Sequence, residues 1–502
     1  MLEDIQRFCQ EKTRSICFVY LLTFAAFGMW AFQNIVTFDA EGLYSYATID
    51  PWYTQWIALG RWSFVLLKHL LGVYVINPFF SIAVFFLLFP LSVLAWDFLL
   101  ERWSGSAGIA NWATLAFCAL YVVHPIWAQQ FAYRNQIEVL SIVFVLAPVA
   151  VAIYDAWTSE QRPALFVGGV LLTTFVFGGY QSFIETVMLG LAIRLLFLAL
   201  SSRLTKKDLV STALYLAIPF VLYLLISALV RRFTGIAPDP YLTDQVSWST
   251  MPLGEGLRRL FSNISARILG DGFEYTSLYA VLAVVFLIML IALARKSEQP
   301  LATVLMGICV LLIPFALVVA TVGSLVVRAH FSFVLAIAFL GAFEASLAHD
   351  FLHERGAQIS QFVLPGLAVL LIVGNQLQIQ SRLLYTHVTA MNEDYANMEE
   401  IYFRSQALGA KRGNAICLVG SQGNVNIDAM LSHEVIGFTY TEVTTLTGSD
   451  KFAAAMAAYG FPVTLPTEEQ QKQANEAAQD MTVWPEEGSI RVYDGYFVVK
   501  LS

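Results

Sequence analysis

Asp39 and Glu41 stand two residues apart directly after a long apolar run, in the stretch Phe38-Asp39-Ala40-Glu41-Gly42. Carboxylates at a membrane surface are costly to desolvate unless they are used or paired. One held within hydrogen-bond reach of a hydroxyl can take its proton as a general base. The same pair would also serve as the acidic first turn of a helix running through GLYSYA, so spacing alone leaves base and cap both open. A second group is cationic: Arg328 and His330 before one apolar run, Tyr133 and Arg134 before another, Arg231 and Arg232 after a third. A guanidinium suits a phosphate whose charge grows as it leaves, and it equally suits snorkelling to lipid headgroups. Arg328 is the strongest candidate of the set, because its loop is too short for a casual charge. The third group is the tight connection Gly178-Gly179-Tyr180-Gln181-Ser182, with Glu185 about one turn beyond it. Tyr180 and Gln181 offer a stacking face and an amide to a sugar ring, or simply close a helical hairpin. His124 and Trp127 carry the same ambiguity. No second histidine stands at metal-ligand spacing from His124, and Cys9, Cys17, Cys118, Cys309 and Cys417 show no paired spacing, so neither a zinc site nor a disulfide framework is indicated.

The elements that must position these residues are set by composition. Of 502 residues, 58% are hydrophobic and only 13% charged, about half the charged share of a soluble domain. A water-soluble enzyme, a disordered chain and a nucleic-acid binder are excluded, the last also by the net charge of −8. The apolar residues come in runs long enough for helices to span a bilayer, which excludes a β-barrel. Spans are expected near 16–34, 78–99, 107–123, 138–155, 163–179, 183–200, 209–230, 277–294, 300–323, 331–348 and 360–378, eleven in all. The first resembles a signal peptide but lacks a small-residue cleavage site, and is read as an uncleaved anchor. Lys and Arg in the short loops put the N-terminus inside. With an odd number of spans, the C-terminal part then lies outside the cytoplasmic membrane.

The expected architecture is an all-α polytopic membrane body, 1–378, followed by a small extracytoplasmic α/β domain, 379–502. The second part holds 15 acidic against 8 basic residues, the first 22 against 21. Outer loop 35–77 reads as two short interfacial helices anchored by Trp52, Trp56 and Trp62, with Arg61 and Lys68 free to snorkel. A longer outer loop covers about 231–276. In the tail, Ile379 to about Ala407 continues the last helix, Ala415–Gly420 and Phe438–Leu446 are strand candidates, and Asp450–Tyr459 is a helix. The last residues form a hairpin with Asp494-Gly495 suited to a type I′ turn. Gly420-Ser421-Gln422-Gly423 lacks the Lys-Ser/Thr of a phosphate loop and reads as a plain turn.

The acidic D-x-E in the first outer loop, the interfacial helices after it, the many spans and the soluble tail together resemble the GT-C superfamily of membrane glycosyltransferases. More closely, TFDAEGLYSYATIDPWYTQWIALGRW (37–62), with the turn at Gly179-Tyr180-Gln181-Ser182, resembles the bacterial glucosyltransferases that modify O-antigen in serotype conversion. That resemblance implies a hexose, with glucose the first choice, moved from undecaprenyl phosphate to a surface glycan or glycolipid at the outer face of the inner membrane, with inversion. It implies Asp39 as base, Glu41 orienting the acceptor or holding a basic partner, and Arg328 with Arg134 or His330 on the leaving phosphate. Arg61, Trp62, Tyr44, His124, Tyr133, Tyr180 and Gln181 would contact sugar or acceptor. No metal or other cofactor is obligate, although a divalent ion on Asp39 and Glu41 stays open. Two rivals remain: a surface-polysaccharide polymerase or ligase using the arginines of the long loop, and a lipid-linked-sugar flippase or transporter, for which no inverted repeat is visible.

Overall fold

The computed structural model describes residues 2–502 except 43–49, 73–76, 106–110, 240–245, 247, 249–250, 271–274, 323–325, 358, 424–435, 437–438, 443 and 445–447. Tyr44 therefore lies outside the described residues.

The chain begins with α1 (Leu2–Glu11) and the apolar α2 (Thr13–Ala31), followed by the short α3 (Asp50–Ala58) and α4 (Trp62–Leu71). Next come α5 (Pro78–Ser104), α6 (Asn111–Val122), α7 (Ile126–Phe131), α8 (Ile137–Glu160), α9 (Pro163–Phe177), α10 (Phe183–Leu200) and α11 (Lys206–Thr234). The amphipathic α12 (Leu253–Leu269) precedes α13 (Leu278–Lys296), α14 (Pro300–Leu312), α15 (Ala316–Thr321), α16 (Phe331–Glu354) and α17 (Ser360–Ala407). Each of the eleven expected spans falls on a helix, and nine helices among the described residues are long and apolar enough to cross a bilayer. The chain is a polytopic helical membrane protein.

Local chemistry sets the helix starts. Asn77 caps α5 by accepting from the Phe80 amide, with Pro78 at the first helical position, where a missing N–H costs nothing. Thr205 and Asp208 form a reciprocal capping box at α11. Pro90, Pro148, Pro219 and Pro365 sit inside apolar helices, tolerated where neighbouring helices satisfy the freed carbonyls. The centre is α16, buried continuously from Phe331 to Ser346 and packed against α6, α13, α10 and α17. At the end away from the C-terminal residues, ion pairs tie helices together: Arg102 and Arg194 both bind Asp155, Arg102 also binds Asp4, and Lys12 binds Glu101.

With 48 residues, α17 is about 72 Å long, more than twice the hydrocarbon thickness of about 30 Å. It therefore carries the chain out of the bilayer and into a second apolar core. That core gathers Met391, Met398 and Ile401 of α17 with β1 (Ala415–Val419), α18 (Asp450–Ala458) and the terminal strands β2 (Ile490–Val492) and β3 (Tyr496–Lys500). A further helix, α19 (Glu468–Ala477), covers the other side of the sheet. The strand order is β1-β3-β2, with Ala415 opposite Tyr496 in the parallel pair and Ile490 opposite Val499 in the antiparallel one. The hairpin is present, but only Gly495 of its turn has positive φ, 84°; a type I′ turn needs it at both central residues.

The expected strand over Phe438–Leu446 is a correction. Its described residues 439–442 form a turn wrapped on Asp394, whose carboxylate accepts from the amides of Tyr440 and Thr441. A buried acceptor on α17 captures the N–H groups that a neighbouring strand would have used. Gly420-Ser421 spends its backbone on the C-terminus, the Ser421 amide donating to Ser502 Oγ at 3.2 Å, as a plain turn does.

Candidate active site

After α2 the chain makes a turn at Thr37–Ala40, closed by the Ala40 amide donating to the Thr37 carbonyl at 2.9 Å. This turn places Asp39 at φ 68°, a left-handed conformation that few residues other than Gly, Asn and Asp adopt. Lys451, at the second residue of α18, reaches the turn from more than four hundred residues away. Its ammonium donates to Asp39 Oδ1 and, at 3.0 Å, to Glu41 Oε1, and it lies 4.2 Å from the centre of the Phe38 ring. Tyr440 completes the cluster, donating from its hydroxyl to Glu41 Oε2 at 3.0 Å and stacking on Phe38.

Burial separates the two carboxylates. Glu41 is 2% exposed, whereas the Asp39 side chain is 31% exposed. Burial pushes the Glu41 pKa up; Lys451 opposes this and the neighbouring Asp39 charge adds to it. Burial would lower the Lys451 pKa, but the two carboxylates outweigh it and hold the ammonium charged. The Tyr440 phenol is held neutral, first by burial and then by Glu41.

Asp39 opens onto a cavity of about 290 Å³ whose wall also includes Trp56, Arg61, Tyr133, Tyr180, Asp239 and Arg328. Five elements of the helix ends converge here. The corner between α3 and α4 brings Arg61, whose guanidinium lies 4.1 Å over the Tyr180 ring. The segment between α7 and α8 brings Tyr133, and the 3₁₀ turn Val327–Ala329 before α16 brings Arg328, 4.4 Å over the Tyr133 ring. The connection between α9 and α10 brings Tyr180, and the chain after α11 brings Asp239, whose amide donates to the Ala58 carbonyl. Two guanidiniums laid on aromatic faces are held in orientation beside the cavity, where their charge suits an anion. A half-exposed carboxylate opposite them can accept a proton. The cavity thus offers the parts needed to bind a phosphate-bearing sugar and activate a hydroxyl toward it.

The remaining expected residues are placed elsewhere. Gln181 donates to the Leu59 carbonyl at 2.6 Å and to the Tyr223 hydroxyl at 3.0 Å, fixing the corner that carries Arg61. Trp62 packs on Gly178, where a Cβ would stand 2.4 Å from the indole. Arg134 donates to the carbonyls of Gln33 and Trp30 at 2.9 Å each, clamping the end of α2; it lines a different cavity, beside Tyr395 and Tyr459. His330 faces Arg267, Nδ1 to Nε 3.2 Å. His124 is wholly buried and accepts from the Ile126 amide. Lys68, expected to snorkel, is instead sealed in an ion pair with Glu138. Among the described residues no three His, Cys, Asp or Glu side chains gather to hold a metal ion. Lys451, Tyr440 and Asp239 escaped the sequence reading. Asp239 had a signal, its place in Pro238-Asp239-Pro240 within a loop otherwise rich in cations; Lys451 and Tyr440 had none.

No curated protein matches this chain significantly. A family model, Glucosyl transferase GtrII, matches residues 45–343. The matched segment holds Arg61, Tyr133, Tyr180, Asp239 and Arg328, and stops short of Asp39 and Glu41 on one side and Lys451 on the other. Because the match takes in more than half of the chain, the protein belongs to the Glucosyl transferase GtrII family and is a membrane glucosyltransferase.

Proposed function

We propose that the protein moves a glucosyl residue from a polyprenyl-phosphate donor to a cell-surface glycan or glycolipid such as O-antigen, at the outer face of the bacterial inner membrane. In this reading the N-terminus is cytoplasmic, and the end bearing the Asp39 cavity and the C-terminal unit faces outward. The observation that carries the reading is the cavity itself: Asp39, two guanidiniums and two tyrosine rings share one wall in a member of a glucosyl transferase family.

The chemistry is a single displacement. The acceptor hydroxyl gives its proton to the Asp39 carboxylate as its oxygen attacks the anomeric carbon. The bond from that carbon to the phosphate oxygen breaks, and its electron pair leaves on the lipid phosphate. Arg328 and Arg61 stabilise the charge that develops there. Configuration at the anomeric carbon inverts, and no nucleophilic Ser or Cys takes part. Glu41, bonded to Lys451 and Tyr440, holds the base in place and does not touch the acceptor. The reaction needs no obligate metal.

The test is transfer of labelled glucose from synthetic polyprenyl-phosphate-glucose to glycan and glycolipid extracts of the host, in detergent or nanodiscs. Asp39→Asn should lower the rate by about 10²–10⁴-fold, the span of a general-base contribution. Transfer by Asp39→Asn at the wild-type rate would remove the base from the mechanism.

A further inference from the structure

We propose that Lys451 is a positioning residue of the transfer reaction, aiming the Asp39 carboxylate at the cavity and setting a positive charge beside it, which makes the C-terminal α/β unit a working part of the catalytic site. The proposal rests on the reading of Asp39 as base and extends it to a part of the chain that the family match does not reach.

The geometry is specific. Asp39 and Glu41 are separated by one residue, and Glu41 is buried. Two carboxylates this close repel each other unless a cation lies between them. Lys451 supplies that cation and bonds to one oxygen of each. The Phe38 ring covers a further side of the ammonium, so its position is defined by three contacts. Among the described residues Lys451 takes one oxygen of Asp39, and the carboxylate also lines the cavity, where a hydroxyl can meet it.

Asp39 sits in a left-handed conformation that carries some free-energy cost outside glycine, so contacts from elsewhere help to hold the turn. The C-terminal unit holds it along its length. Ile35 is buried in the second core, the Val36 amide donates to the Tyr459 hydroxyl at 2.8 Å, and Phe38 and Glu41 meet Tyr440. Among these ties, Lys451 is the one that acts on the carboxylate facing the cavity. Among the described residues, the other titratable groups around Asp39 are Glu41 on its own loop, Tyr440 on the C-terminal side, and Arg61, Arg328, Asp239, Tyr133 and Tyr180 across the cavity.

The experiment is the pH profile of kcat/KM for the full-length protein with polyprenyl-phosphate-glucose, comparing wild type, Lys451→Gln, Lys451→Arg, the double variant Lys451→Gln with Glu41→Gln, and Asp39→Asn. Removing a cation in contact with a carboxylate raises its proton affinity by about one pH unit or more. The acidic limb of the Lys451→Gln profile should move up by about one unit, a loss of about tenfold at the acid end that shrinks as pH rises. Lys451→Arg should keep the limb in place. The double variant leaves no unpaired buried charge, so it folds even where Lys451→Gln does not, and its limb should return close to wild type. A tie that merely holds the unit together would lower activity by one factor at every pH; that outcome, or an unmoved limb in Lys451→Gln, overturns the proposal. Wild-type transfer by Asp39→Asn would instead overturn the underlying base assignment, so the two failures are distinct.

Discussion

Two lysine–carboxylate clusters flank the cavity, and they are built to opposite specifications. Lys68 pairs with Glu138 beneath it at side-chain exposures of 1% and 0%, donates to the Asn135 carbonyl at 2.8 Å, and lies 5.6 Å from the Trp56 ring. Asn135 and Trp56 both line the cavity. Lys451 pairs with Asp39 at its rim, where both side chains keep a quarter or more of their surface. A sealed pair is closed to water and substrate, so its worth is geometric: it fixes α4 against the start of α8 and the segment that precedes it. The open cluster keeps access to protons. The difference teaches that exposure, more than charge or proximity, separates the frame of this site from its chemistry.

The largest effect should come from breaking the sealed pair. Lys68→Met leaves the Glu138 carboxylate buried alone, which costs about 3–5 kcal/mol, and thermal unfolding in detergent would read it as a large drop in Tm. Replacing both partners, Lys68→Met with Glu138→Leu, should recover most of the loss, because neither charge is then stranded. Lys451→Gln should cost less, because Asp39 keeps access to water and Glu41 keeps the Tyr440 hydroxyl. Equal losses at Lys68 and Lys451 would break the comparison.

Next in size is the cavity wall. Arg328→Ala removes a cation aimed at developing phosphate charge and should lower kcat/KM by about 10²–10³-fold, with the Tm almost unchanged. Arg61→Ala should act in the same direction. If instead either variant melts early while its remaining folded fraction transfers normally, its guanidinium belongs to the frame with Lys68.

How far all this could be read in the sequence depends on range. The spans, the long last helix and the terminal hairpin are local patterns of hydrophobicity and turn residues, and they stand in the structure where they were expected. Asp39, Arg61, Tyr133, Tyr180 and Arg328 were singled out from different loops because each places costly polar chemistry at a helix end, and they line one cavity. What was not legible is partnership across the chain. Nothing at Asp450-Lys451 signals that the second residue of a short helix meets an acid pair near the N-terminus. Nor does the composition of 438–446 reveal that Asp394 will take its amides and turn a strand-like sequence into a turn. Arg134, Trp62 and Gln181 were read as ligand contacts on residue type, yet their donors and rings are spent on backbone carbonyls and a glycine. Residue type names the chemistry a side chain can do, and only three-dimensional neighbours decide whether it is already satisfied.

The glycine offers a smaller test of the frame. A methyl at Gly178 would lie 2.4 Å from the Trp62 indole, and the Gly178 carbonyl accepts from the Ser63 amide at 3.0 Å. Gly178→Ala must displace Trp62 and strain the start of α4, next to Arg61. The cost is that of overpacking, about 1–3 kcal/mol, read as a lower Tm. Because Arg61 moves with the corner, donor KM should rise as well; a variant with lowered Tm and unchanged KM would show that the corner's packing and the cavity wall are independent.

The smallest effect concerns Glu41, and its sign is set by the direction of the pKa shift. The group is raised above its ordinary value of 4.5, chiefly by burial. Between that value and the raised one, the folded protein holds a proton that the unfolded chain has released. The contribution of Glu41 to stability is therefore full below the ordinary carboxylate range and is lost as pH rises through the window, levelling off above the folded pKa. Lys451 is raised from 10.5, so what it contributes is kept until the pH passes that range and adds no slope near neutrality. Glu41→Gln cannot titrate. The Tm difference, wild type minus Glu41→Gln, should accordingly fall over a range of pH above the ordinary 4.5. A difference that is flat over that range would mean that Glu41 ionises at its ordinary value, with Lys451 fully offsetting its burial.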